Sequence, residues 1–364
     1  MNIQPLRIAV FSYGLPVVGL KRGGIERVAH DLADGLARRG HQVTVFTYDP
    51  RPDEAAYEVC DLPCKRFVMS WLGRRLTMGY LGNLLALVPN YNEADIIITL
   101  GDSLLLPLIN KPHVRVVAGS ALGEALSAKS PWRFVMQLGI YAQELLTGLT
   151  QSGCVGISYN SRRYNPFVKQ VIPIGVNLSA FYPNPACKTL SPSILFVGAL
   201  EGRKRGRLLM KWFARDVRPL YPTAKLMMVS PPGPEIEGVT YYTGITDTEL
   251  AYLYQCAWVY ASPSTYEGFG LPYVEAMASG TPVIATPNPG SREILDDGRF
   301  GLLAGDEEFG ATIANLLGDD AARQDLIAKG ISRAQDYALE NTVQQYESLL
   351  KVMCATQGHT SEAV

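Results

Sequence analysis

Near the start of the chain an apolar run, a glycine-punctuated loop, a helix pattern and a second apolar run follow one another, and the same series begins again past the midpoint. Arg7-Ile-Ala-Val-Phe-Ser-Tyr is the first run, Gly14 to Gly24 the loop, and Ile25 to Arg39 the helix, with Ile25, Val28, Ala29, Leu32 and Leu36 at three- and four-residue spacing. Gly40 stops that helix and Val43-Thr-Val-Phe-Thr is the next strand. Ile194-Leu-Phe-Val-Gly-Ala-Leu opens the second series, with a basic loop, a helix from Leu208 to Val217 and a strand from Lys225 to Ser230. Strand, helix and strand in this order predict a parallel sheet covered by helices. A chain of 364 residues is long for one core, so the two series predict two α/β domains. Pro183-Asn-Pro-Ala-Cys-Lys and Ser191-Pro192 mark the linker. The expected divisions are residues 1–187, residues 188–340, and a C-terminal helix with a mobile tail over residues 341–364.

Further elements follow the same alternation. Ala94 to Leu100 and Val114 to Ala118 read as strands, Trp132 to Leu149 as a helix, and Val155-Gly-Ile-Ser and Gln170 to Asn177 close the first half. In the second half, Thr246 and Glu249 fit a capping box at the start of the helix Asp247 to Tyr254, and Trp258-Val-Tyr-Ala-Ser is a strand. Val283 to Thr286, Arg292 to Leu295 and Gly301-Leu-Leu-Ala continue the series, and Phe309 to Leu317 and Ala321 to Leu350 read as helices.

Composition removes several classes of function. A net charge of −1 gives no basic excess for nucleic acid. Six cysteines are spread too thinly for a disulfide scaffold, which fits reduced thiols and a cytoplasmic protein, and the Cys60/Cys64 pair has no matching partners for zinc. The strand at Arg7 follows Met1 to Leu6 too closely for a signal peptide, and no apolar stretch is long enough to span a membrane. Between Phe67 and Asn90, Lys65, Arg66, Arg74 and Arg75 flank Phe67, Met69, Trp71, Leu72, Leu76 and Met78. That stretch reads either as a surface meeting anionic lipid or a lipid-linked substrate, peripherally at the inner face of a membrane, or as a helix packed on the sheet with a solvated basic edge.

The chemistry concentrates between Ser262 and Gly290. Glu267 and Glu275 bracket Gly268, Phe269, Gly270 and Leu271 where a loop enters a helix, so backbone N–H groups and the positive helix end lie beside two acids. A turn that only needs its glycines gives the same local pattern. Glu201-Gly-Arg-Lys-Arg-Gly-Arg follows the first strand of the second half and places four cations between Arg203 and Arg207, on the sheet edge where the Glu267 loop begins. Arg203, Lys204 and Arg205 are therefore candidates to hold a diphosphate. Lys21-Arg-Gly-Gly, ending in Gly23 and Gly24, opens the first helix and offers close backbone approach to a ligand, or simply a tight turn. Asp296-Asp297 and Asp319-Asp320 lie in helix-end and turn contexts and read as caps rather than a metal site.

Glu267 and Glu275, within Pro263-Ser-Thr-Tyr-Glu-Gly-Phe-Gly-Leu-Pro and Glu275-Ala-Met-Ala-Ser-Gly-Thr-Pro-Val-Ile-Ala, resemble the E-x7-E motif of the retaining, nucleotide-sugar-dependent glycosyltransferases of family 4. The resemblance covers nearly the whole chain. It implies the GT-B fold: two Rossmann-like domains facing across a cleft, with the C-terminal helix returning towards the N-terminal domain. It also implies a nucleoside diphosphate sugar, UDP- or GDP-linked, as donor substrate, no separate cofactor or metal, and a glycan, lipid-linked or small-molecule acceptor. By the resemblance, Glu267 lies against the donor sugar, Gly268 to Leu271 bind diphosphate through their amides, Glu275 accepts from the ribose hydroxyls, and Gly23 and Gly24 close on the phosphates or acceptor.

Two positions depart from the family. Ala199 stands where an arginine is usual and Arg205-Gly206 where Lys-Gly is usual, so charge compensation is expected from Arg205 with Arg203 or Lys204. Ala118 stands where many members carry a histidine, and of the four histidines His113 precedes that strand and reads as structural or surface. Glu267 and Arg205 are the expected catalytic pair, the arginine stabilising the leaving group. Two alternatives stand beside transfer: a nucleotide-sugar-binding protein of this fold that has lost catalysis, and a nucleotide-sugar epimerase.

Overall fold

The computed structural model describes residues 4–16, 24–63, 82–101, 103–127 and 130–361. The chain divides into two compact units, Met1–Ile174 with Leu339–Val364, and Gly175–Ala338.

In the first unit β1 (Arg7–Ser12), β2 (Gln42–Thr47), β3 (Glu58–Asp61), β4 (Ile96–Leu100), β5 (His113–Val117), β6 (Gly153–Gly156) and β7 (Gln170–Val171) form a seven-stranded parallel sheet in the order β3-β2-β1-β4-β5-β6-β7. β4 and β5 are buried along their whole length, as strands covered on both faces must be. The described helices before Ile174 are α1 (Gly24–Arg38), α2 (Gly82–Leu85), α3 (Ala121–Leu126), α4 (Pro131–Thr150) and α5 (Tyr159–Tyr164). α1 buries Val28, Ala29, Leu32 and Leu36, the stripe that its spacing predicts. α4 leaves Trp132, Val135 and Leu149 exposed.

The second unit repeats the plan. β8 (Ser193–Val197), β9 (Lys225–Val229), β10 (Val239–Tyr242), β11 (Val259–Ser262), β12 (Val283–Ala285) and β13 (Leu302–Leu303) lie parallel in the order β10-β9-β8-β11-β12-β13. Its helices are α6 (Gly206–Trp212), α7 (Asp247–Cys256), α8 (Leu271–Ala278), α9 (Pro289–Ile294), α10 (Phe309–Gly318) and α11 (Asp320–Gln335). Phe196, Phe213, Trp212 and Phe309 pack in its core, the last two stacked with ring centroids 4.9 Å apart. The strand order reverses at β8, which pairs with β9 on one side and β11 on the other. The connections from β8 and β11 therefore leave in opposite directions and open a crevice at the carboxyl edge.

The last helix, α12 (Leu339–Ser361), belongs to the first unit, the return that the resemblance implies. A Cβ on Gly35 would lie 2.4 Å from Cγ2 of Val343, so α1 and α12 cross where only glycine fits. Glu347 accepts from Arg39 Nε at 2.6 Å and pairs with His41 Nε2 at 3.3 Å. Burial pushes the Glu347 carboxyl up, but its bonds to Lys351, Arg39 and His41 outweigh that and hold it at about 2.

Several expectations shift. The first unit ends at Ile174, before the Pro-rich stretch, because Val176 N–H donates to Tyr337 O at 2.8 Å and the Gln255 amide donates to Tyr182 O at 3.1 Å, tying residues 175–187 to the second unit. The helix expected from Ala321 to Leu350 is two helices, parted at Asp336–Ala338, where the Tyr337 ring docks edge-on against Phe269 at 5.7 Å. Helical backbone continues to Ser361, within the 341–364 stretch expected to hold a helix and a tail. The edge strand β3 is an addition. The basic aromatic segment at residues 65–78 lies outside the described residues, as does Cys64.

Candidate functional site

The candidate site sits on the edge between β8 and β11. After β8 the chain turns through Gly198 to Glu201, makes a short 3-10 turn at Gly202–Lys204, and enters α6 through Arg205, whose backbone is left-handed at φ 53°. After β11 it runs through residues 263–270 into α8. The two loops are joined: Thr265 N–H donates to Arg203 O at 2.9 Å, and Arg203 Nη1 donates to Tyr266 O at 2.7 Å.

Glu267 is buried and holds two cations. Arg203 Nη1 donates to its Oε2 at 2.7 Å, and Lys204 Nζ lies 2.5 Å from its Oε1. Burial alone pushes the carboxyl up; the charges of Lys204 and Arg203 outweigh it and keep Glu267 ionised, below the usual carboxylate range. The loop is also fixed from beneath. Gly290 N–H donates to Glu267 O at 3.1 Å, and a Cβ on Gly290 would lie 2.3 Å from Phe269 O. Asn288, the N-cap of α9, accepts from Ser291 N–H and donates through its amide to Ser264 O at 3.0 Å.

Gly270 takes φ 110° as the residue before α8, where an added Cβ would lie 2.4 Å from the Tyr273 ring. Among the described residues, no backbone carbonyl accepts from the N–H groups of Gly268, Phe269 and Gly270. With the first N–H of α8 at Leu271, they form a row of donors at the positive end of that helix. The Phe269 side chain is buried against Tyr337 and is part of the scaffold.

Glu275 lies in α8, buried, and its Oε2 accepts from the Tyr254 hydroxyl at 2.9 Å. Tyr254 is fixed at its backbone by Thr281, whose hydroxyl donates to Tyr254 O at 2.6 Å, and at its ring by Phe181, 5.9 Å away. Nothing local marked Tyr254; its role comes from the packing of α7 against α8.

Arg205, the cation expected on the leaving group, is otherwise engaged. Its Nη1 and Nη2 donate to the two Asp306 carboxylate oxygens at 2.7 and 2.9 Å, and its Nε donates to Pro263 O at 2.5 Å. The structure thus brings Glu267, Arg203, Lys204 and the residues 268–271 together and turns Arg205 towards Asp306. Gly24 opens α1 and is exposed; Gly23 lies outside the described residues. Ala118 directly follows β5, and Ala199 follows Gly198 on the β8 loop. His113 is buried, donates from Nδ1 to Lys111 O at 2.9 Å, accepts at Nε2 from Ser152 N–H at 3.2 Å, and is pushed down by burial, as suits a structural histidine. Asp319 caps α11, accepting from Ala322 N–H at 2.9 Å, and Asp297 pairs with Arg292 at 2.7 Å. Among the described residues, no group of three or more His, Cys, Asp or Glu gathers that could hold a metal ion.

Comparison with known proteins agrees with this plan in both units. A profile of the glycosyl transferases group 1 matches residues 191–319, and one of glycosyltransferase family 4 matches residues 22–121. O-antigen chain mannosyltransferase B of Escherichia coli is 30% identical over 175 residues, 44% of this chain and 45% of its own length. The chain spans about half the length of the curated relatives it matches, between 45% and 53% for two of them. Among solved structures, sucrose-phosphate synthase from Thermosynechococcus elongatus superposes with a TM-score of 0.79 at 22% identity, covering 96% of this chain and 100% of that one. Anabaena HepE in complex with UDP-glucose gives 0.72 at 19% identity, covering 95% and 100%. Two parallel-sheet α/β units with these neighbours define a protein of the GT-B class. With both profiles matched, the chain belongs to the family 4 glycosyltransferases.

Proposed function

We propose that the chain transfers a sugar from a UDP- or GDP-linked donor to a hydroxyl of a glycan, lipid-linked or small-molecule acceptor, with retention and without a metal ion. The observation that carries this reading is the buried, ionised Glu267 clamped by Arg203 and Lys204 beside the donor row at Gly268 to Leu271. Amides at a helix start suit a diphosphate, and a carboxylate, which only accepts, suits sugar hydroxyls.

In this reading the diphosphate lies on the amides, and the leaving oxygen takes the acceptor's proton as the sugar passes through an oxocarbenium-like state. The chain aligns the substrates and stabilises the leaving charge, for which the cations of the β8 loop are at hand. Glu267 holds donor hydroxyls and favours positive charge at the anomeric carbon. Glu275, oriented by Tyr254, accepts from the ribose. Peripheral membrane contact would bring a lipid-linked acceptor within reach; the exposed Trp132, Val135 and Leu149 of α4 are compatible with it, and no described helix is long and apolar enough to cross a membrane.

Thermal shift across a panel of nucleotide sugars tests the donor, since a ligand bound only to the folded state raises its stability. Glu267→Gln is expected to lower turnover about a hundredfold while changing UDP or GDP affinity little. Glu275→Ala is expected to weaken nucleotide binding. Stabilisation by no nucleotide sugar, or unchanged kinetics in both variants, would overturn the reading. Binding without transfer to any acceptor favours the binding protein instead, and interconversion of free donor sugars favours the epimerase.

A further inference from the structure

α4 turns polar side chains towards its own unit and apolar ones outwards. Gln137, Tyr141, Glu144 and Gly148, at four- and three-residue spacing, form the stripe that docks. The Gln137 amide donates to Glu124 Oε2 at 3.4 Å, the Tyr141 hydroxyl donates to Tyr164 O at 2.7 Å, and Glu144 Oε1 accepts from Ala121 N–H at 3.2 Å. A Cβ on Gly148 would lie 2.8 Å from Phe167 Cβ. The opposite face carries Trp132, Val135, Gly139, Ala142, Leu146 and Leu149, all exposed. The four large ones among them are 77%, 61%, 53% and 65% exposed in chain order. Successive members of this stripe lie three, four, three, four and three residues apart. That is the 3.5-residue period of a seam that receives another helix.

We propose that the seam is filled by a second copy of this chain, whose own α4 lies antiparallel on this one. Read from either end, the stripe runs large, large, small, small, large, large, and its spacing is the same in both directions. A two-fold axis between Ile140 and Tyr141 therefore sets Gly139 against Ala142, Val135 against Leu146 and Trp132 against Leu149, an isologous contact in which each layer meets its complement. The small pair at the centre lets the helices approach, and each indole faces a leucine, whereas parallel helices would set indole against indole. Met136 and Leu138, also exposed, flank the seam. With about 200 Å² for an aromatic side chain and about 100 Å² for an aliphatic one, the exposed parts sum to roughly 500 Å² in each copy. Two copies then bury roughly 1,000 Å², where specific interfaces begin, which suits a reversible dimer. Charge separates this occupant from lipid. A helix lying on a membrane is rich in Lys and Arg on its polar face. The charged residues of α4 are only Arg133, paired with Glu124 at 3.2 Å, and Glu144, which holds Ala121 N–H.

Sedimentation velocity of the full chain tests this. The wild type, 39.8 kDa as one copy, is expected to sediment as a dimer at micromolar concentration and to dissociate on dilution. Its unfolding temperature is expected to rise with protein concentration, because pairing stabilises the folded state by mass action. Val135→Glu, at an exposed position, buries a carboxylate from each copy in the seam. It is expected to weaken pairing at least about a hundredfold and to remove the concentration dependence, with helix content by circular dichroism unchanged. A mixture of Val135→Cys and Leu146→Cys chains is expected to form a linked dimer under a mild thiol oxidant, above the wild-type background. Each variant alone is expected not to, because antiparallel helices hold like positions about 16 Å apart, beyond the reach of a disulfide. A wild type that stays monomeric, a dimer that survives Val135→Glu, or linkage by either cysteine variant alone would each overturn the proposal. So would a monomeric wild type that floats with phosphatidylglycerol vesicles and ceases to do so in Trp132→Glu, which would give the face to lipid.

Discussion

At the carboxyl edge of the first sheet, where β1 lies between β2 and β4, the described polar side chains bond to backbone and to each other. Ser12 Oγ donates to Gly14 O at 2.9 Å, Asp49 Oδ2 accepts from Leu15 N–H at 3.0 Å, and the Thr99 and Ser103 hydroxyls lie 3.0 Å apart. At the same edge of the second sheet, three cations and two carboxylates face one another within three loops, those after β8, β11 and β13. The strand order opens a crevice in both, so topology alone does not separate the two edges. Among the described residues, what distinguishes the second edge is charge held in a loop braced from below by Gly290 and Asn288.

Replacing a glycine at each edge gives the sharpest contrast. Gly290→Ala would drive a methyl into Phe269 O and Glu267, and is expected to cost about 1–3 kcal/mol and abolish nucleotide binding. Gly119→Ala, after β5, meets nothing within 4 Å and is expected to leave thermal unfolding and nucleotide affinity unchanged. Equal losses would mean that the Glu267 loop has no special brace. Comparable in stability, though without loss of nucleotide binding, is Glu347→Gln, which is expected to cost the first unit about 1.5–3 kcal/mol at neutral pH by removing charged hydrogen bonds. Because its folded value is depressed to about 2 from 4.5, this stability is present above about pH 4.5 and is lost as pH falls through about 2. Denaturant midpoints across that window should converge for wild type and variant; parallel curves would remove Glu347 from the account. Tyr254→Phe keeps the ring packing and is expected to weaken nucleotide binding about tenfold, through a less well-held Glu275. Unchanged calorimetry would leave Tyr254 with a packing role only. The smallest effect is expected from Thr246→Ala, about 1 kcal/mol for a lost helix cap, read in thermal unfolding with no change in nucleotide affinity.

The strands at the centre of each sheet were legible because burial on both faces leaves an apolar run, as in Ile96-Ile-Ile-Thr-Leu and Ser193-Ile-Leu-Phe-Val. β3 was not, since Glu58-Val-Cys-Asp is a largely exposed edge strand. The break between α11 and α12 has no glycine or proline to announce it; it follows from the docking of Tyr337 on Phe269, a tertiary contact. At the site, the spacing of Glu267 and Glu275 around glycines was readable. Which neighbouring cation faces which acid was not. Arg203, Lys204 and Arg205 look alike in sequence, and the assignment depends on the left-handed backbone at Arg205 and on Asp306, 101 positions away.

The chain leaves the first unit at Ile174 and returns to it at Leu339, so the second unit is an insertion within the first. During synthesis the inserted unit emerges whole, whereas the earlier one must wait for α12 to set Val343 against Gly35 and Glu347 against Arg39. The order of maturation is then expected to run opposite to the order of translation: residues 175–338 become protease-resistant on the ribosome before residues 1–174 do. Pulsed proteolysis of stalled nascent chains would detect that order, and resistance of the first unit before residue 339 has emerged would refute it.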